Sequence, residues 1–174
     1  MLTRKGIPSS SGGQLAKSMP TFETMPALLT KYFGSVEYRE DDVVQFPLGL
    51  ASFENESQFL LMEPPASAPL MFLQSVRLPG LCFLALPIQN IDPDYKLDIT
   101  REDLESLGLQ ITRQPRIGDE IMCFAVIVVA ENGHVSANLL APVVINPANR
   151  CGVQAIRIDS IYSHQHLLTE EVCS

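Results

Sequence analysis

The run Ile121-Met122-Cys123-Phe124-Ala125-Val126-Ile127-Val128-Val129 carries no charge and is rich in β-branched side chains. Such a run is expected as a strand. Ala130-Glu131-Asn132-Gly133 follows it. Asn-Gly is the pair best able to place two consecutive residues at positive φ, so a tight type I′ hairpin is predicted. The returning strand then meets an unusual segment. Asn138 and Asn146 bracket the otherwise apolar Leu139-Leu140-Ala141-Pro142-Val143-Val144-Ile145. Pro142 has no N–H to give to a ladder, so a central strand position disfavours it. The strand is predicted to break there, at an edge or a bulge, and to resume from Val143 to Ile145 before a loop, Asn146 to Arg150. Asn138 and Asn146 are expected to satisfy local backbone groups at the break. None of these residues is a usual nucleophile or metal ligand, so the segment reads as one that holds a shape or is held by a partner.

A hairpin needs partners to bury its faces, and the rest of the chain supplies short ones. Strands are predicted over residues 32–38, over Val43 to Phe46 (stopped by Pro47), and over Phe59 to Met62 (ended by Pro64-Pro65). Two more, Met71 to Val76 and Leu81 to Leu86, join across Leu78-Pro79-Gly80, and a last one covers residues 153–158. Short strands with Pro/Gly turns indicate an all-β sandwich or barrel. Leu48 to Glu54 reads as a Gly-containing loop with large apolar residues left exposed or half-buried. One short helix is predicted from Arg101 to Leu107. Thr100 caps it, Asp103 completes a capping-box pattern, and Gly108 stops it. Leu104 and Leu107 share its apolar face, which must pack on the sheet. At 174 residues, 46% of them hydrophobic, one core and one domain are expected, over residues 29–170. Residues 1–28, with Ser9-Ser10-Ser11-Gly12-Gly13, Pro8 and Pro20, read as a disordered or loosely attached arm.

The formal charge of −8 is the reverse of what phosphate contact requires, so direct nucleic-acid binding is disfavoured. No apolar run is long enough to cross a bilayer, and no signal-peptide pattern follows Arg4 and Lys5, so a cytoplasmic protein is expected, with no membrane partner. Cys82 and Cys123 lie in apolar runs and read as buried small hydrophobes. Asp92 and Asp94 invite a metal or acid–base reading, but Asp-Pro-Asp is ordinary turn chemistry and no further ligand stands near. His164 and His166 would share a face if extended, and they read as surface histidines. Phosphate loops, HExxH and GxSxG are all missing from the sequence. Nothing points to an enzyme, a metal or another cofactor.

Several blocks together resemble the flagellar assembly factor FliW family: Lys31-Tyr32-Phe33-Gly34, Phe46-Pro47-Leu48-Gly49-Leu50 with Phe53-Glu54, Leu73-Gln74-Ser75, Pro93-Asp94-Tyr95, Ser136 through Asn146, and Gln154. The Ser136–Asn146 block is the most specific. The resemblance implies an all-β fold, a small compact β-barrel-like domain of short antiparallel strands with one short helix. It also implies a non-enzymatic role in flagellum biogenesis. Proteins of this kind bind the RNA-binding translational regulator CsrA, relieving its repression of flagellin mRNA, and bind flagellin in a partner switch. On that reading the partner-binding residues are Phe46, Pro47, Leu48, Gly49, Phe53, Asp94, Tyr95, Asn138, Leu139, Leu140, Pro142 and Asn146. One departure stands out: the family usually has Pro-Gly where this chain has Ala51-Ser52, and Ser tolerates positive φ less easily than Gly. Two other readings stay open. One is a small barrel that binds or transforms a small molecule, with Asp92, Asp94 and Tyr95 at its mouth. The other is a structural subunit of an assembly. A deep polar pocket would favour the former, and a shallow apolar surface favours partner binding. Oligomeric state is left open.

Overall fold

The computed structural model describes residues 25–156 and 161–168. The predicted arm up to residue 24 and the last residues of the predicted 153–158 strand lie outside the described residues. The chain enters through a hairpin of β1 (Ala27–Thr30) and β2 (Gly34–Glu37), so β1 starts inside the segment assigned to the arm. The Thr30 hydroxyl closes its turn, accepting the Phe33 N–H (2.9 Å) and donating to the Gly34 carbonyl (3.0 Å). Phe33 then packs edge-on against Phe72, with ring centroids 4.9 Å apart, which docks the hairpin on the body of the protein.

That body is a barrel of β3 (Val43–Gln45), β4 (Gln58–Met62), β5 (Met71–Ser75), β6 (Cys82–Pro87), β7 (Met122–Val129), β8 (Val135–Asn146) and β9 (Cys151–Gln154). Sequential neighbours pair antiparallel throughout. The barrel closes where Gln45 of β3 meets Cys151 of β9 in a parallel contact. A two-residue strand, β10 (His166–Leu167), lies along the first half of β8.

Both faces of the central strands are buried. Phe124 and Ala85 join Val44, Phe46, Leu50, Phe59, Leu73, Val143 and Ile145 inside the barrel. The intervening Cys123, Ala125 and Leu86 face a second cluster with Tyr95, Ile99, Leu104 and Leu107. This accounts for an uninterrupted apolar run at β7, because a strand covered on both sides loses its alternation. The second cluster is roofed by α1 (Arg101–Ser106). The Thr100 hydroxyl accepts the Asp103 N–H at 3.1 Å and donates to the Asp103 carboxylate, so the expected capping box forms on one side only. Gly108 (φ 68°) ends the helix. Its N–H donates to the Glu105 carbonyl and the Leu109 N–H to that of Leu104, as a Schellman motif requires.

The β7–β8 hairpin differs from the expected type I′ turn. Among its loop residues only Gly133 has positive φ (82°), and the Ala130 N–H bonds the His134 carbonyl at 2.9 Å. The loop therefore has three residues with a bulge at Gly133. Asn132 spends its side chain on the His134 N–H (3.1 Å) instead of adopting the left-handed conformation.

The predicted break at Pro142 is a bulge within one long strand. Phe124 pairs with Val143 and Val126 with Asn138, so two steps along β7 span five along β8. Pro142 sits in the excess, where no ladder N–H is demanded. Its carbonyl accepts the Ala155 N–H at 2.9 Å.

Candidate functional site

Two consecutive turns shape the loop after β3. In the first, the Gly49 N–H donates to the Phe46 carbonyl (2.9 Å), with Pro47 and Leu48 at the corners. Leu48 is 75% exposed at the tip. Gly49 has φ 67°, and a Cβ there would lie 2.5 Å from the Phe53 carbonyl oxygen, so the position admits glycine alone. In the second turn the Phe53 N–H donates to the Leu50 carbonyl (2.7 Å), with Ala51 and Ser52 at the corners. Ser52 has φ 69°, the positive value a type II turn demands at that corner. Ala51-Ser52 thus keeps a backbone suited to Pro-Gly, at a strain of about 1 kcal/mol on Ser52. Its N–H is held by the Glu54 carboxylate at 3.0 Å.

Beneath the loop, Glu56 is only 4% exposed. Its carboxylate accepts from the Ser75 hydroxyl (3.1 Å) and from the Arg77 guanidinium, which also donates to the Asn55 carbonyl (3.2 Å). The Arg77 hydrogen bond holds the Glu56 pKa below its ordinary value against the opposing effect of burial. This pair anchors the far end of the loop to the β5–β6 connection.

The bulge in β8 is filled from within and from both sides. Asn138 Oδ1 accepts the N–H groups of Leu140 (3.1 Å) and Ala141 (3.0 Å). The Tyr95 hydroxyl donates to the Leu139 carbonyl (2.8 Å), and the Leu139 N–H donates to the Ser163 carbonyl (3.0 Å). Tyr162 stacks on Tyr95 with centroids 4.3 Å apart. At the end of β8, Asn146 Nδ2 donates to the Leu107 carbonyl at the C-terminus of α1 (2.8 Å) while its Oδ1 accepts the Ala148 N–H (2.9 Å). Asn149 adds a second donor to the same carbonyl at 2.9 Å.

Gln154 joins the loop to the bulge. Its Oε1 accepts the Ala51 N–H (2.8 Å), and its Nε2 donates to the Ala141 carbonyl (3.2 Å). Around it lies a groove of about 290 Å³ lined by Leu50, Ala51, Phe83, Val126, Val128, Ser136, Asn138, Gln154, His164 and Gln165. No Asp, Glu, Lys or Arg lines it. Leu50 plugs the barrel below, and Phe53 packs edge-on against Phe83 at 5.3 Å. A second, more open groove of about 480 Å³ is bordered by Arg39, Glu40, Asp41, Asp42 and Arg150.

Burial divides the candidate set in two. Phe46, Gly49, Tyr95, Leu139, Pro142 and Asn146 are buried. Phe46 fills the barrel, Tyr95 and Leu139 belong to the cluster under α1, and Gly49, Pro142 and Asn146 answer backbone requirements. In this chain they form the frame of the site. Pro47, Leu48 and Asp94 are exposed, and Phe53, Asn138 and Leu140 are half-buried. Asp94 does not line the groove. Phe83, Val126, Val128, His164 and Gln165 do, and were not anticipated. Gln154 was noted in the predicted 153–158 strand and as part of the resemblance, not as a site residue. A polar residue between Val153 and Ala155 is the local signal the sequence offers for it.

Asp92 Oδ1 accepts the Asp94 N–H at 3.0 Å, an ordinary turn bond. His164 and His166 are exposed, and among the described residues no group of three potential ligands could hold a metal ion. Burial pushes the Cys82 thiol up to about 11 and the Cys123 thiol up to about 12, so both stay protonated and unreactive at neutral pH. No described helix is long and apolar enough to cross a membrane.

The family model described as FliW protein matches residues 27–168. The chain is 35% identical over 145 residues to flagellar assembly factor FliW of Geobacillus thermodenitrificans (strain NG80-2), spanning 83% of this chain and 96% of that one. It is 30% identical over 140 residues to flagellar assembly factor FliW of Syntrophomonas wolfei, spanning 80% and 86%. The crystal structure of a flagellar assembly factor FliW matches with a TM-score of 0.72 at 31% identity, over 82% of this chain and 96% of that one.

Proposed function

The chain belongs to the FliW family of flagellar assembly factors, and on that premise we propose that it is a non-enzymatic, cytoplasmic partner-switch protein. It binds a CsrA-type RNA-binding regulator and relieves repression of flagellin mRNA. Newly made flagellin binds in turn and releases the regulator. The observation that carries this reading is the uncharged groove where the Pro47–Glu54 loop meets the β8 bulge. It is open and partly apolar, as a contact surface is, and the two segments flagged by the resemblance converge on it. The net charge of −8 complements a basic RNA-binding protein.

Convergence on one groove favours overlapping sites and steric exclusion. The barrel beneath is closed and filled on both faces, which leaves little room for two global states. The test is to saturate the protein with flagellin and titrate in the regulator. Exclusion lowers the apparent affinity in proportion to flagellin, and linkage requires an equal reciprocal effect. A ternary complex of unaltered affinity would overturn the switch, and one of weakened affinity would replace exclusion by allostery.

A further inference from the structure

The loop from Pro47 to Glu54 and the β8 bulge are far apart in sequence and rest on separate turns, yet the groove needs them in fixed register. The Ala51 N–H is not used by the turn's own hydrogen bond, which runs from Phe53 to Leu50. Gln154 takes it up and passes the connection to Ala141 through the other end of the same amide. A primary amide on two methylenes offers an acceptor and a donor together at this reach. A carboxylate of the same length would turn an acceptor toward the Ala141 carbonyl, and Asn would fall short by one methylene.

The residues at the corners make this link matter. Pro-Gly holds a type II turn through its own torsions, with φ fixed by Pro and positive φ free for Gly. Ala51-Ser52 has neither property, and Ser52 is held at φ 69° against its preference. The Glu54 carboxylate holds the central peptide through the Ser52 N–H, and Gln154 holds the peptide before it through the Ala51 N–H. That preceding peptide joins Leu50 to Ala51, both at the edge of the groove, so its freedom is the groove's freedom. We propose that Gln154 is a positioning residue: by bridging Ala51 to Ala141 it locks the loop against the β8 bulge and sets the groove's shape for an uncharged, apolar segment of the partner. The consequence for binding rests on the proposed function, whereas the lock itself does not.

The experiment uses the full chain with Gln154→Ala, and the same variant carrying Ala51→Pro and Ser52→Gly, which supply the turn from its own torsions. Hydrogen exchange at the Ala51 amide is read in the single variant, and affinity for purified CsrA-type regulator and melting temperature in both. Gln154→Ala is expected to speed Ala51 exchange about tenfold or more and to weaken the regulator about tenfold, the scale of one lost hydrogen bond. The Pro-Gly pair should then restore affinity although the Gln154 bonds remain absent. A groove residue acting by direct contact would not be rescued that way. Unchanged Ala51 exchange, or affinity that the Pro-Gly pair fails to restore in a stably folded protein, would overturn the proposal. If the wild-type chain binds no regulator, the proposed function falls, and Ala51 exchange still decides the lock.

Discussion

Asn138 shows how one side chain can make an irregular strand affordable. Its carboxamide oxygen satisfies two backbone N–H groups that the bulge takes out of the ladder. The sequence places Asn138 at a break and expects it to satisfy local backbone groups; one such hydrogen bond is worth about 1 kcal/mol. With two donors left unpaired in a half-buried setting, Asn138→Ala is expected to destabilise by about 2–3 kcal/mol in urea unfolding. Asn138→Asp keeps the acceptor and should lose less. Equal losses in both would mean that the oxygen is not what matters. The neighbouring residues show that motif positions also carry packing duties. Phe46 lies so close to Gly152 that a Cβ on the glycine would sit 2.5 Å from its ring. Tyr95 is held under α1 by a hydroxyl bond to the bulge. A specific sequence block marks positions with narrow tolerance, and narrow tolerance arises from packing as readily as from recognition.

Elements were legible where their signals are local. Thr100, Gly108 and the apolar pair Leu104 and Leu107 delimit α1 without reference to anything distant. The hairpin was found but its turn type was not, because Asn132 had a competing use for its side chain. The connection from α1 to β7 could not be read at all, since charged ends seven residues apart hold it. Arg113 grips both oxygens of Glu120 (2.8 and 2.6 Å), and the Arg116 N–H adds a third bond at 3.0 Å. The Arg113 hydrogen bond, with that N–H, lowers the Glu120 pKa to about 2 from an ordinary 4.5. A carboxyl depressed in the folded state contributes stability above its unfolded pKa, and that contribution is lost as pH falls through the folded value. The melting temperature of the wild type should therefore drop between about pH 4.5 and pH 2 more steeply than that of Glu120→Gln. Parallel curves for the two proteins would remove this brace from the account of acid stability.

At the scale of the molecule, closure was the least visible feature. It depends on β3 meeting β9 across more than a hundred residues, and on a bulge that lets β8 serve β10 along one half and β9 along the other. No local pattern announces either. Charge, by contrast, is a sum, and the sequence yields it directly. The fold then separates charge from contact: the groove is lined by no formal charge, while Glu40, Asp41 and Asp94 stand exposed outside it. Charges outside a contact patch act while the partner approaches and are screened beyond roughly 8–10 Å at physiological salt. Groups inside the patch act once it has docked. Association with a basic regulator should accordingly slow as salt rises, with dissociation changing far less. Asp41→Asn with Asp94→Asn should lower the association rate by about two- to threefold at low salt and by less at high salt, since each removes part of a steering field that salt already screens. Stopped-flow kinetics over a salt series measures both rates. An association rate indifferent to salt would leave the acidic surface without a part in recognition, and a dissociation rate that climbs with salt would put charge inside the docked interface, where the groove has none.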